Sequence, residues 1–114
     1  MSLGQFEQVV LTAILSLGEN AYGVTIHARV EEFSRPKRVS KGAVYATLDR
    51  MTDKGLVRSC MSDPLPERGG RSRRYYRLEL IGEQALREAA QAARRLFDTV
   101  EQSWGRGIWQ PEKG

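Results

Sequence analysis

Apolar residues recur along the chain first at helical and then at strand spacing. In FEQVVLTAILSL, Phe6, Val9, Val10, Ala13, Ile14 and Leu17 fall at i, i+3, i+4, i+7, i+8 and i+11, the stripe of an amphipathic helix that Gly18 ends. A second helical pattern runs from Ala21 to Ser34, with Tyr22, Ile26, Val30 and Phe33 on one side and Arg29, Glu31 and Glu32 on the other. Pro36 closes it, because the residue before a proline is disfavoured in the α conformation. KRVS then reads as short and extended, and Ser40 as the N-cap of a third helix, SKGAVYATLDRMTDKG, its hydroxyl accepting from free backbone N–H groups. At about 100° per residue, Val44, Leu48 and Met51 cluster within about 60°, while Gly42, Ala46, Asp49 and Asp53 face the other way. This helix is aliphatic inside and nearly bare outside over its first two turns. Gly55 stops it, and Leu56 is expected to fold back onto the core.

LVRSCM and RRYYRLEL read as two strands of one hairpin, joined by a long Pro- and Gly-bearing loop. From Ile81 to Trp104 an alanine-rich helix carries Leu86, Ala89, Ala93, Leu96, Val100 and Trp104 at intervals of three or four, with Phe97 alongside. Such a helix is longer than the body behind it, so part of its stripe is expected to meet another subunit. The sequence therefore predicts a mainly α fold with a small β-hairpin. Its parts are a winged helix-turn-helix over residues 1–80, a C-terminal dimerisation helix over 81–104 and a frayed tail over 105–114, together one compact domain.

Length and composition narrow the chemistry. At 114 residues the chain holds one modest core, which pairing with a second copy would enlarge. The single cysteine, Cys60, forms no internal disulfide and reads as a small packing residue; His27 has no companion His or Cys, so neither a metal site nor another cofactor is expected. No nucleophile elbow or phosphate loop accompanies the scattered carboxylates, and an enzyme is not expected. The N-terminus lacks the basic and apolar regions of a signal peptide and no apolar run approaches 18 residues, so a cytoplasmic protein without membrane contact is expected.

Charge changes the picture more by location than by amount. The net charge is +4, but residues 35–77 hold twelve basic and four acidic side chains, a local excess of +8, while the remainder carries −4. A basic middle suits the phosphate backbone of a nucleic acid. A helix faced by Gly42, Ala43 and Ala46 can lie deep in a major groove, with Lys41, Tyr45, Thr47 and Arg50 at its edges. Beside it, Arg68, Gly69, Gly70, Arg71, Arg73, Arg74 and Tyr75 form a cationic hairpin able to straddle the backbone or enter the minor groove, the two glycines allowing close approach. Tyr22, at the start of the second helix, and Ser40, chiefly a cap, complete the candidate DNA-contacting set. A winged helix used for protein contact or RNA binding is the rival reading; the arginines of the wing favour double-stranded DNA.

AYGVTIHARVEE, SKGAVYATLDRMTDKGLV and ERGGRSRRYYRL together resemble the PadR family of bacterial transcriptional regulators, in the small subfamily with one C-terminal helix. The likeness spans about residues 6 to 100. It is carried by Tyr22 and Gly23, Tyr45, Leu48, the Lys54-Gly55-Leu56 run, and the Gly-Gly-Arg and Tyr-Tyr-Arg-Leu of the wing. The resemblance implies a homodimer in which the C-terminal helix packs against the partner's N-terminal region, making Phe6, Val10, Leu86, Ala89, Ala93, Leu96, Phe97, Val100 and Trp104 the candidate interface. It also implies a palindromic operator, usually repression, and in some members a small hydrophobic or phenolic effector. Two positions depart from the pattern. Glu79 stands where the family commonly has a threonine that caps the last helix, implying a different cap. AAQAARR lacks the mid-helix aromatic that stacks planar ligands in multidrug-binding relatives.

Overall fold

The inward stripes of the first three helices converge on one core. A computed structural model describes residues 2–109 and 111. It runs α1 (Gln5–Leu17), α2 (Gly23–Ser34), α3 (Lys41–Asp53), β1 (Val57–Met61), β2 (Arg74–Leu78) and α4 (Leu80–Ser103), with 3-10 turns at Gly18–Asn20 and Pro66–Arg68. Val10, Leu11 and Ile14 of α1 meet Ile26 and Val30 of α2, Val44, Leu48 and Met51 of α3, and Leu56, Val57 and Tyr76 beside the hairpin. Burying each large aliphatic side chain contributes about 1.5–3 kcal/mol, which makes this cluster the main cohesive term. Val10 belongs wholly to it, so its expected place in a subunit interface is corrected: its side chain faces inward, between helices of its own chain.

The ends of α3 follow from local chemistry. Ser40 Oγ accepts from the Ala43 N–H at 3.1 Å, satisfying one of the free donors of the first turn. At the other end Gly55 adopts φ +77°, and the Leu56 N–H returns to the Met51 carbonyl at 3.0 Å, sending Leu56 into the core.

β1 and β2 pair antiparallel from Val57↔Leu78 to Met61↔Arg74. The connecting segment is more ordered than a loose link. Ser62 N–H donates to the Arg73 carbonyl at 2.7 Å, Leu65 bridges Arg71, and the 3-10 turn at Pro66–Arg68 rounds the tip. Gly69 and Gly70 take φ +66° and +85°, the left-handed conformation the turn requires, with open space around both. The short extended element expected at KRVS is not a strand. Residues 37–39 are held instead against α2, and it is Ala21 and Tyr22 that join the hairpin: the Tyr76 N–H donates to the Ala21 carbonyl at 2.9 Å and Tyr22 bridges Tyr75. Cys60 lies exposed on β1, not packed as expected.

α4 starts at Glu79, whose side chain makes no capping hydrogen bond and reaches the Arg58 guanidinium at 3.7 Å. Gly82 lies directly against the Leu56 carbonyl, where any side chain would collide with backbone. Only Gly82, Ala85 and Leu86 of α4 are buried, and Leu86 packs into the core of its own chain, which removes it from the expected interface set. The remaining turns project outward, drawing the described chain to 75 × 28 × 20 Å. Trp104 follows the last helical residue, Ser103. Of the expected tail, Gln110 and residues 112–114 lie outside the described residues. Among those residues, no helix is long and apolar enough to cross a membrane, and no cluster of His, Cys, Asp and Glu has the makings of a metal site.

Candidate nucleic-acid interface

The start of α2, the outer face of α3 and the base of the wing share one surface recess. Tyr22, Gly23 and Val24 of the α2 start, Tyr45 of α3, and Arg68, Arg73, Arg74 and Tyr76 of the hairpin region line a groove of 340 Å³. The arginine-bearing hairpin and the recognition-like helix therefore stand on the same side.

Two contacts hold this arrangement. The Tyr45 ring lies on the backbone of Gly23: a Cβ there would come within 2.5 Å of the Tyr45 hydroxyl and 2.7 Å of Cε1. The tyrosine-glycine pair and the distant tyrosine thus form one packing unit. On the wing side, the Arg73 guanidinium stacks 3.9 Å above the Tyr22 ring, and Tyr22 meets Tyr75 edge to face at 5.6 Å between centroids. Arg73 Nη1 also donates to the Tyr75 hydroxyl at 3.5 Å, and that bond, with the nearby tyrosines and Glu67, holds the guanidinium more firmly charged. Arg73 Nε and Arg68 Nε are buried and have no hydrogen-bond partner among the described residues.

The other wing residues are more open. Arg71 is exposed, its Nε donating to the Arg68 carbonyl at 3.1 Å, and exposed Arg74 reaches Ser59 Oγ at 3.5 Å. Gly69 and Gly70 are exposed at the tip, and Tyr75 is half-buried. On α3 the leading face is open as the pattern implies: Lys41, Gly42, Ala43 and Ala46 are exposed, no atom approaches a Cβ built at Gly42, and Tyr45 is 41% exposed. One expected member of this face is corrected. Thr47 is 3% exposed, because the wide apolar sector of α3 includes its position, and its hydroxyl accepts from Arg50 Nη2 at 3.3 Å. Arg50 is engaged by Glu7 of α1 at 3.7 Å, a carboxylate that Lys54 also reaches at 3.1 Å.

Three residues of the recess, Gly23, Val24 and the largely buried Tyr76, were not among the expected site residues. Gly23 matters through its missing side chain, which no pattern of charge or polarity registers. Val24 stands 60% exposed beside the groove, and its signal was an apolar residue falling outside the inward stripe of α2.

The comparison that decides the family covers this whole surface. A model of the transcriptional regulator PadR-like family matches residues 10–88, more than half of the chain. The chain belongs to the PadR-like family. Members of the family are transcriptional regulators that bind DNA, a class defined by binding rather than catalysis. Solved structures agree with the family and the fold of this PadR-like protein. It is 26% identical to a PadR family transcription regulator from Clostridium difficile R20291, with a TM-score of 0.70 over 90% of this chain and 100% of that one. A PadR-like transcriptional regulator from Bacillus cereus ATCC 14579 gives 25% identity and a TM-score of 0.69 over 87% and 90%. A PadR-like transcription factor from Bacteroides fragilis gives 26% and 0.66 over 87% and 89%. No curated protein matches the sequence.

Proposed function

We propose that this PadR-like protein is a homodimeric repressor that binds a palindromic operator, each subunit laying α3 in a major groove and its wing along the adjoining backbone. The observation that carries the reading is the shared recess, where Tyr45 of α3 and Arg68, Arg73 and Arg74 of the wing line one groove. Small side chains on the leading face of α3 allow close approach to base edges, while the arginines supply phosphate contacts on both sides. Occupancy of a promoter-proximal site would exclude polymerase, which makes repression the simplest output.

Dimerisation is supported by the outer half of α4. Leu96, Phe97 and Trp104 are each 64% exposed and, with Val100, continue one side of a helix that leaves the body after Leu86. An apolar stripe of this length on a soluble chain calls for a cover. A second copy provides one and sets two α3 helices for half-sites about 34 Å apart. Half-buried Ala89 and Ala93 extend this surface towards Leu3 and Gln8 of the N-terminal region, and half-buried Phe6, which borders a separate groove with Val9, Phe33 and Val39, offers apolar surface to a partner. A small hydrophobic effector of the kind the family resemblance implies would sit in the 410 Å³ groove floored by Leu3, Ala89, Ala93 and Leu96.

Footprinting on DNA upstream of the protein's own coding region, across a salt series and a protein titration, tests the reading. Protection of two half-sites is expected, with log Kd rising by about 0.9 per decade of salt for each phosphate neutralised. Replacing Arg71, Arg73 and Arg74 together by alanine should flatten that dependence without unfolding the protein. An unchanged slope would remove the wing from the interface.

A further inference from the structure

The four residues between Arg35 and Ser40 lead the chain into the recognition helix, and a carboxylate-imidazole pair on α2 grips the last of them, Val39. Glu31 Oε2 accepts from the Val39 N–H at 3.0 Å, and His27 Nε2 lies 2.7 Å from the Val39 carbonyl oxygen. Both main-chain polar groups of Val39 are thereby taken by side chains one helical turn apart on α2. The two grips brace each other, with His27 Nε2 3.5 Å from Glu31 Oε1. His27 and Glu31 are mostly shielded from solvent, while Arg38, 3.6 Å from Glu31, is almost fully exposed and adds little. Val39 precedes Ser40, the N-cap of α3, so the grip acts on the residue through which the chain enters the recognition helix.

We propose that His27 and Glu31 are positioning residues for DNA binding, holding Val39 so that α3 enters the groove at a set angle without themselves touching DNA. This rests on the DNA-binding reading given above. The Val39 N–H also holds the Glu31 carboxyl below the ordinary glutamate range, as a hydrogen bond to the ionised form requires. KRVS consequently does not pair as a strand: its backbone groups at Val39 are already bonded to α2. Nothing in the sequence pattern of α2 separates Glu31 from its solvated neighbour Glu32, and only the turn after Pro36 brings Val39 over the former.

The proposal yields an effect opposite in sign to simple electrostatics. Removing a negative charge from a DNA-binding surface should tighten binding, since phosphates repel carboxylates. Glu31→Ala is expected instead to weaken binding to a duplex from the upstream region by about tenfold, on the scale of one lost charge-assisted hydrogen bond. The salt slope should stay at the wild-type value, because no phosphate contact is lost. Glu31→Gln removes the same charge but keeps an oxygen for the Val39 N–H, and should bind at least as tightly as wild type. Equal or tighter binding by Glu31→Ala overturns the proposal, as does a Gln variant that falls with the Ala variant. Amide hydrogen exchange on the DNA-free protein supplies a second arm. Glu31→Ala should speed exchange at Val39 and the first turn of α3, and Glu31→Gln should not; unchanged exchange in both also overturns it. If wild-type protein binds neither this duplex nor a random one, the DNA-binding reading fails, while the exchange arm still judges the grip.

Discussion

Arg73 stacks its guanidinium on the ring of Tyr22, 3.9 Å from the centroid, and so ties the wing to the start of α2. The contact is made by the face of the ring. Tyr22→Phe should therefore leave the urea midpoint close to wild type, whereas Tyr22→Leu should lower it and loosen the wing. Denaturation of the three proteins checks this, and a Phe variant that behaves like Leu would assign the effect to the hydroxyl instead.

Gly23→Ala should act on DNA binding far more than on stability. The added methyl meets the tip of Tyr45, a side chain free to swing away, so the fold should change by less than about 1 kcal/mol. Displacing Tyr45 should nonetheless weaken operator binding several-fold. A double-mutant cycle with Tyr45→Ala isolates the link: on that background Gly23→Ala should have almost no further effect on affinity.

Glu7 gives a pH-dependent contribution to stability whose sign is set by its partners. The Gly4 N–H first, then Lys54 and Arg50, hold its carboxyl below the ordinary value of 4.5 against the opposing effect of burial. A depressed folded-state pKa contributes stability that is present above the unfolded pKa and is lost as pH falls through the folded one. Glu7→Gln should thus cost about 1 kcal/mol between pH 6 and 8, with the difference from wild type shrinking below about pH 4.5 and vanishing in stronger acid. Urea melts at successive pH values measure this.

Charging the α4 stripe should separate assembly from folding. Leu96→Glu with Phe97→Glu alters two side chains that touch little of their own chain, so the far-ultraviolet spectrum and thermal midpoint at low concentration should hold. Sedimentation should show monomers, and operator affinity should fall by at least about tenfold as the two half-sites uncouple. A double variant that still sediments as a dimer would move the interface elsewhere.

The order of the four helices and the hairpin, most of the inward faces of α1, α2 and α3, the serine cap and the glycine stop were determined by the sequence alone, because each depends on residues within one or two turns of each other. So was the concentration of positive charge around the wing. Tertiary structure decided what lies between elements. It took Val10, Thr47 and Leu86 out of the surface, turned Arg50 towards Glu7, moved the third β contact from KRVS to Ala21 and Tyr22, and set Tyr45 on the bare backbone of Gly23. The reason is geometric: helical periodicity ranks residues by direction from one axis, but which neighbour lies in that direction depends on how separate axes cross, and no local pattern encodes a crossing.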